Sequence, residues 1–218
     1  TGPHRSVASS DLVASALGGS MYVTGEEDDP PVRLAGFQAL TMASTFAAVS
    51  SMIALHHSAA SGEGQHVDIS LEETTASVAH ISGVGKWRDD GIIPRRRGSG
   101  LFASVPSGAY PCKDGLVYLT VNRPLHWKAL AQWIHEVTGN REVLDPMFEG
   151  PSSSRQPYRE LVDLFVSDFT SQLSVDEAYH EGQRRHIAFT PVNSAASVAR
   201  DPHLAARGYF VELDHPGA

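Results

Sequence analysis

At 218 residues with 41% hydrophobic content, the chain is long enough to bury a real core, as one large domain or two small ones. Its 17 basic against 25 acidic residues give a net charge of −8, which argues against nucleic acid or an anionic membrane surface as the main partner. No stretch approaches ~20 uninterrupted apolar residues, so no transmembrane helix is expected.

The chain opens at Thr1-Gly2-Pro3-His4 without an initiator methionine, a basic n-region or an apolar h-region, and reads as an excised piece. From Asp11 to Gly19 a short helix is predicted, with Asp11 as N-cap and Gly18-Gly19 as the stop. Glu26 to Pro31 is an acidic loop ended by prolines. Gly36 to Ala60 is the longest helical candidate, rich in Ala and Ser, which suits close helix packing. Val67 and Ile69 alternate with His66 and Asp68 as a short strand; Ser70 then caps a helix running from Leu71 to about Ser82.

Gly83 to Pro106, rich in Gly, Arg and Pro, reads as a linker. Beyond it, two strands flank Lys113-Asp114-Gly115 as a hairpin. Helices follow at Leu125–Thr138, Pro157–Thr170 and Ser174–Gln183, then a strand over Ile187–Val192, a helical turn over Ala195–Arg200 and a last strand over Gly208–Asp214. The single cysteine, Cys112, cannot close an internal disulfide, which fits a reducing cytoplasm. It sits on the approach to the hairpin turn and is a poor candidate for a catalytic thiol.

The most informative stretch is Gly64 to Thr75, because it delivers Glu73 to the first turn of a helix. Amides and the positive end of the helix dipole favour the charged form of a carboxylate there, as nucleophilic attack on a carbonyl requires. The same spacing, Ser70-x-x-Glu73, is also a capping box in which the glutamate merely ties off its own helix. Spacing alone does not choose between the two. The eleven histidines fail as a metal site, since His56 and His57 are adjacent and no His-x-x-x-His or Cys-x-x-Cys pair exists. Arg95-Arg96-Arg97 beside Gly98-Ser99-Gly100 suits anion recognition, with a solvated basic linker as the competing reading.

Several blocks resemble the class III CoA-transferases, a family that includes formyl-CoA transferase, carnitine CoA-transferase and α-methylacyl-CoA racemase. They are Thr1-Gly-Pro-His-Arg5, Asp11-Leu-Val with Ala16-Leu-Gly-Gly19, Thr24-Gly25, Pro30-Pro-Val-Arg33 and Gly62-Glu-Gly-Gln-His-Val-Asp-Ile-Ser70. Pro106-Ser-Gly-Ala-Tyr-Pro111 with Lys113-Asp-Gly115 is similar to the start of the family's small domain, and Asp201-Pro-His-Leu204 with Arg207-Gly208 and Asp214-His-Pro216 to its return segment. The resemblance implies a mixed α/β fold: the helical portion of a Rossmann-like large domain over residues 1–85, a Gly/Arg linker over 86–106, a smaller α/β domain over 107–195 and a return segment over 196–218. It also implies an interlocked homodimer in the cytoplasm, acyl-CoA and a small carboxylic acid as substrates, and no metal or prosthetic group.

By the same resemblance Glu73 stands at the nucleophile position; for attack on a thioester there, Gly98 and Gly100, with Arg97, are the candidates for a flexible loop covering the reacting carbonyl. The implied reaction moves CoA from an acyl-CoA to a carboxylic acid through a covalent intermediate on Glu73. Three departures bear on it. Glu73 replaces the family's usual aspartate, moving the carboxylate out by ~1.5 Å, a shift that can cost about 10²-fold. Leu34 to Leu40 lacks an aspartate that many relatives carry. Ser10 stands where the family's racemases place a histidine, so that acid–base pair is absent. The alternatives are a weak or inactive member, an acyl-CoA isomerase using Glu73 as base, and a plain acyl-CoA-binding module.

Overall fold

The computed structural model describes residues 2–78, 83–101 and 104–214. Two compact units divide at residues 102 and 103. Helices dominate both, and the strands form one small antiparallel sheet.

In the first unit, α1 (Asp11–Leu17) starts at Ser10, whose hydroxyl accepts the Val13 amide. Asp11 is therefore not the cap that its position suggested. A hydroxyl beside it satisfies α1, and the carboxylate turns inward, where it accepts the Leu40 amide at 3.1 Å in the first turn of α2 (Gln38–Ser61). A buried carboxylate needs compensation, which Arg33 gives at 3.3 Å. Asp11 thus caps a helix that begins far down the chain.

The helix α2 carries no Asp, Glu, Lys or Arg, and its most apolar 18-residue window has a mean hydropathy of 1.4. By length and composition it could cross a membrane, contrary to the expectation drawn from uninterrupted apolar runs; Ser, Thr and His break such a run without adding formal charge. Phe46, Val49, Met52, Ile53 and Leu55 stand exposed along it. It packs against α1 and α3 (Leu71–Val78). The predicted extension of α3 toward Ser82 falls outside the described residues.

Val67 and Ile69 are half-buried and His66 and Asp68 exposed, as alternation predicted, yet residues 66–69 form no strand. Among the described residues no partner strand lies beside them, and a strand exists only through its ladder. The expected strand over 208–214 fails for the same reason: Tyr209, Phe210, Val211 and Leu213 are exposed on irregular backbone. A further helix, α4 (Val84–Asp90), occupies part of the segment read as a linker.

The second unit holds the deep core. Strands β1 (Ser107–Cys112) and β2 (Gly115–Thr120) pair with Cys112 opposite Gly115, leaving Lys113-Asp114 as the two-residue turn. β3 (Ala188–Pro191) joins the other edge of β2. Helices α5 (Pro124–Thr138) and α6 (Arg159–Thr170) bury Trp127, Leu130, Ile134, Val162, Val166 and Phe169 with Val117, Leu119 and Phe189 from the sheet. Trp133 packs edge-on against Phe169 at 4.7 Å and Phe189 at 5.6 Å.

Arg155, fully buried between α5 and α6, donates to the carbonyls of Val105 and Phe148 and lies 4.5 Å over the Trp127 ring. α7 (Val175–Arg184) has a complete capping box: Ser174 accepts the Glu177 amide, and the Glu177 carboxylate takes the Ser174 amide at 2.8 Å. α8 (Ala195–Ala199) and α9 (Pro202–Ala206) follow β3.

Candidate active site

A cleft of about 890 Å³ opens in the first unit between the turn at Gly2–Arg5, the C-terminal end of α1 and the Asp68–Glu73 entry into α3. Its apolar wall comes from Val7, Val13, Leu17, Ile69 and Val84, and its ionisable groups are His4, Arg5, Asp68, Glu72 and Glu73. The volume lies in the range of small-molecule sites. Gly18 brings α1 and α3 together at its base: a Cβ there would lie 2.5 Å from Cβ of the buried Thr75, so only glycine allows this approach.

Glu73 sits in the first turn of α3, with its side chain exposed and on the cleft lining. Ser70 accepts the Glu73 amide at 3.2 Å. The reciprocal bond is missing: among the described residues the Glu73 carboxylate takes no hydrogen bond from the Ser70 amide or any other donor. Ser174-x-x-Glu177 and Ser70-x-x-Glu73 thus share a pattern and differ in outcome. One glutamate is consumed by its helix. The other keeps its oxygens for the cleft.

The neighbouring Glu72 faces back toward the N-terminal turn, where its Oε2 lies 3.4 Å from His4 Nδ1. Sequence reasoning quoted Thr1-Gly-Pro-His-Arg5 as a block of resemblance and missed it as chemistry. His4 and Glu72 are 68 positions apart, so no local spacing could have paired them.

Gly98, Gly100 and Arg97 are not on the cleft lining. The Gly98 amide donates to Gly25 O at 2.9 Å, and that of Gly100 to Arg97 O at 3.3 Å, so both donors are committed. Gly98 has φ +61, and a Cβ on it would lie 2.7 Å from the Glu26 carboxylate. Arg96 anchors the same segment by donating to the carbonyls of Tyr22 and Glu26, each at 3.2 Å. The basic run therefore docks on the acidic loop through Arg96 instead of simply facing water.

Cys112 is half-buried, and burial, aided by the nearby Asp114 charge, pushes its thiol up to about 11. A thiol so rarely ionised at neutral pH is a poor nucleophile. Among the described residues no group of three His, Cys, Asp or Glu side chains is placed to hold a metal ion.

The chain aligns over 95% of its length, at 29% identity, with the succinyl-CoA:mesaconate CoA-transferase of Haloarcula marismortui. With the succinyl-CoA:(R)-benzylsuccinate CoA-transferase subunit BbsE of Thauera aromatica it aligns over its whole length at 32%. It covers 50% and 56% of those two proteins, so it spans about half the length of the curated relatives it matches. Among solved structures, a CaiB/BaiF family protein from Brucella suis superimposes with a TM-score of 0.72 at 24% identity, covering 95% of this chain and 54% of that one. A hypothetical protein from Mycobacterium tuberculosis gives 0.76 at 18%, with the same coverage of each chain. At these identities the superpositions establish the fold alone. The model of CoA-transferase family III matches residues 1–218, and with this fold and these relatives the chain belongs to CoA-transferase family III.

Proposed function

We propose that the protein transfers CoA from a dicarboxylic acyl-CoA, with succinyl-CoA the first candidate, to a carboxylic acid, and that Glu73 carries the covalent intermediate. The observation that carries this reading is the Glu73 carboxylate itself, exposed in a cleft and unspent by its helix, in a chain whose relatives are named as succinyl-CoA transferases.

In this mechanism a Glu73 oxygen attacks the thioester carbonyl, giving a mixed anhydride and releasing the CoA thiolate. The thiolate attacks the glutamyl carbonyl of the anhydride, which frees the donor acid and leaves a glutamyl-CoA thioester. The acceptor carboxylate attacks that thioester to form a second anhydride, and the expelled thiolate takes the acceptor acyl group, restoring the Glu73 carboxylate. One thioester is exchanged for another. In this reading Gly98 and Gly100, with Arg97, close over the reacting carbonyl, which requires the amides of the two glycines to leave Gly25 O and Arg97 O. The working assembly is an interlocked homodimer in the cytoplasm.

A second reading has two supports: the bond from the Glu73 amide to Ser70 and the glutamate at a usual aspartate position suit a subunit that binds CoA without reacting. Incubating the whole protein with succinyl-CoA and trapping with hydroxylamine or borohydride separates the two. Modification mapped to Glu73 supports transfer. Bound CoA with Glu73 unmodified supports the silent subunit and defeats the covalent mechanism.

A further inference from the structure

Among the described residues, three of the five ionisable side chains on the cleft are acidic: Asp68, Glu72 and Glu73. A dicarboxylic substrate would bring further negative charge to this wall, and at short range like charges repel strongly in a partly desolvated site. Of the two cationic candidates, His4 is engaged, with Nδ1 3.4 Å from Glu72. Among the described residues Arg5 is the only Lys or Arg on the lining, and no carboxylate or carbonyl engages its guanidinium.

Its backbone is held: the Arg5 amide donates to Gly2 O at 3.3 Å, and Val7 N donates to His4 O at 3.0 Å. The His4–Glu72 contact ties this turn to the first turn of α3. Arg5 follows His4 directly and Glu73 follows Glu72, and all four residues line the one cleft. The planar fork of a guanidinium matches a carboxylate with two parallel bonds.

We propose that Arg5 is the specificity-determining residue of the cleft, binding the distal carboxylate of a dicarboxylic acid or of its CoA thioester while the other end meets Glu73. This rests on the transferase reading above for the reaction, though not for the binding.

The test uses the whole protein with succinate and butyrate, which differ by the second carboxylate. Arg5→Gln lowers the succinate-to-butyrate ratio of kcat/KM by about 10²-fold, and Arg5→Lys, which keeps the charge without the fork, lowers it less. An unchanged ratio in Arg5→Gln overturns the proposal. In parallel, calorimetry in a Glu73→Gln background, where no turnover occurs, compares succinate binding with and without Arg5→Gln. About 10²-fold weaker binding supports the subsite, and equal binding overturns it. If the parent exchanges thioester with no acid at all, the transferase reading falls, while the calorimetric arm still decides the role of Arg5.

Discussion

Replacing Glu73 by Gln keeps the backbone amide that donates to Ser70 at 3.2 Å and removes only the charge and nucleophilicity of the side chain. Because the carboxylate accepts no bond in the helix start, the stability lost is limited to its interaction with the helix dipole, about 0.3–1 kcal/mol. Ser70→Ala does the reverse. It removes the oxygen that accepts the Glu73 amide, a loss of about 1 kcal/mol for an N-cap, and leaves the carboxylate in the cleft. If Glu73 is the nucleophile, E73Q loses about 10⁴-fold or more in CoA exchange and all of the hydroxylamine-trapped adduct, whereas S70A melts earlier and still forms it. The assays are succinyl-CoA exchange, mass mapping of the adduct and thermal melting on the same preparations. E73Q that exchanges CoA at nearly the parental rate, and melts as early as S70A, would refute the argument and return the glutamate to a capping role.

Gly98→Ala puts a Cβ 2.7 Å from the Glu26 carboxylate at φ +61, so it destabilises the first unit by about 1–3 kcal/mol; adding Glu26→Ala recovers the steric part but not the backbone part, as read by thermal denaturation. Cys112, with its thiol pushed up to about 11, reacts with iodoacetamide at pH 8 about 10²-fold more slowly than an unperturbed cysteine, and rapid labelling of the folded protein would contradict the burial argument. The Ser174 amide, and then the Ser174 hydroxyl, hold the Glu177 carboxylate below its ordinary range. Its contribution to stability is therefore full above the unfolded carboxylate value of about 4.3 and disappears as pH falls through the lower folded value. Parent and Glu177→Gln should melt apart at neutral pH and converge in acid.

What could be read from the sequence is what local chemistry decides. The hairpin around Lys113-Asp114-Gly115 and the helices expected over Leu125–Thr138 and Ser174–Gln183 follow from residues within a few positions of one another, and they formed, the helices as Pro124–Thr138 and Val175–Arg184. What could not be read depends on distant partners. Alternation at Val67 and Ile69 sets which side chains are sheltered, but a ladder needs a second strand, and the described residues supply none there. Asp11 looked like a cap for its own helix because only the fold brings Leu40 within 3.1 Å of it. Glu73 was legible as a residue and ambiguous as a role, since Ser-x-x-Glu is compatible with both a closed and an open box. His4 and Arg5 join it only through a contact between the chain's first turn and α3.

The two units hold very unequal reserves against heat. Among the described residues of the first, the buried apolar side chains are the small ones of Ala14, Ala39, Ala43 and Pro94, whereas the second buries a continuous cluster of aromatic and branched groups. Calorimetry on this chain should therefore trace two peaks, and fitting a single transition would average quantities that belong to different parts. A ligand that binds only in the first unit's cleft would, by mass action, move the earlier peak and leave the later one in place. A ligand screen read at the dominant melting signal would then miss the compounds that matter.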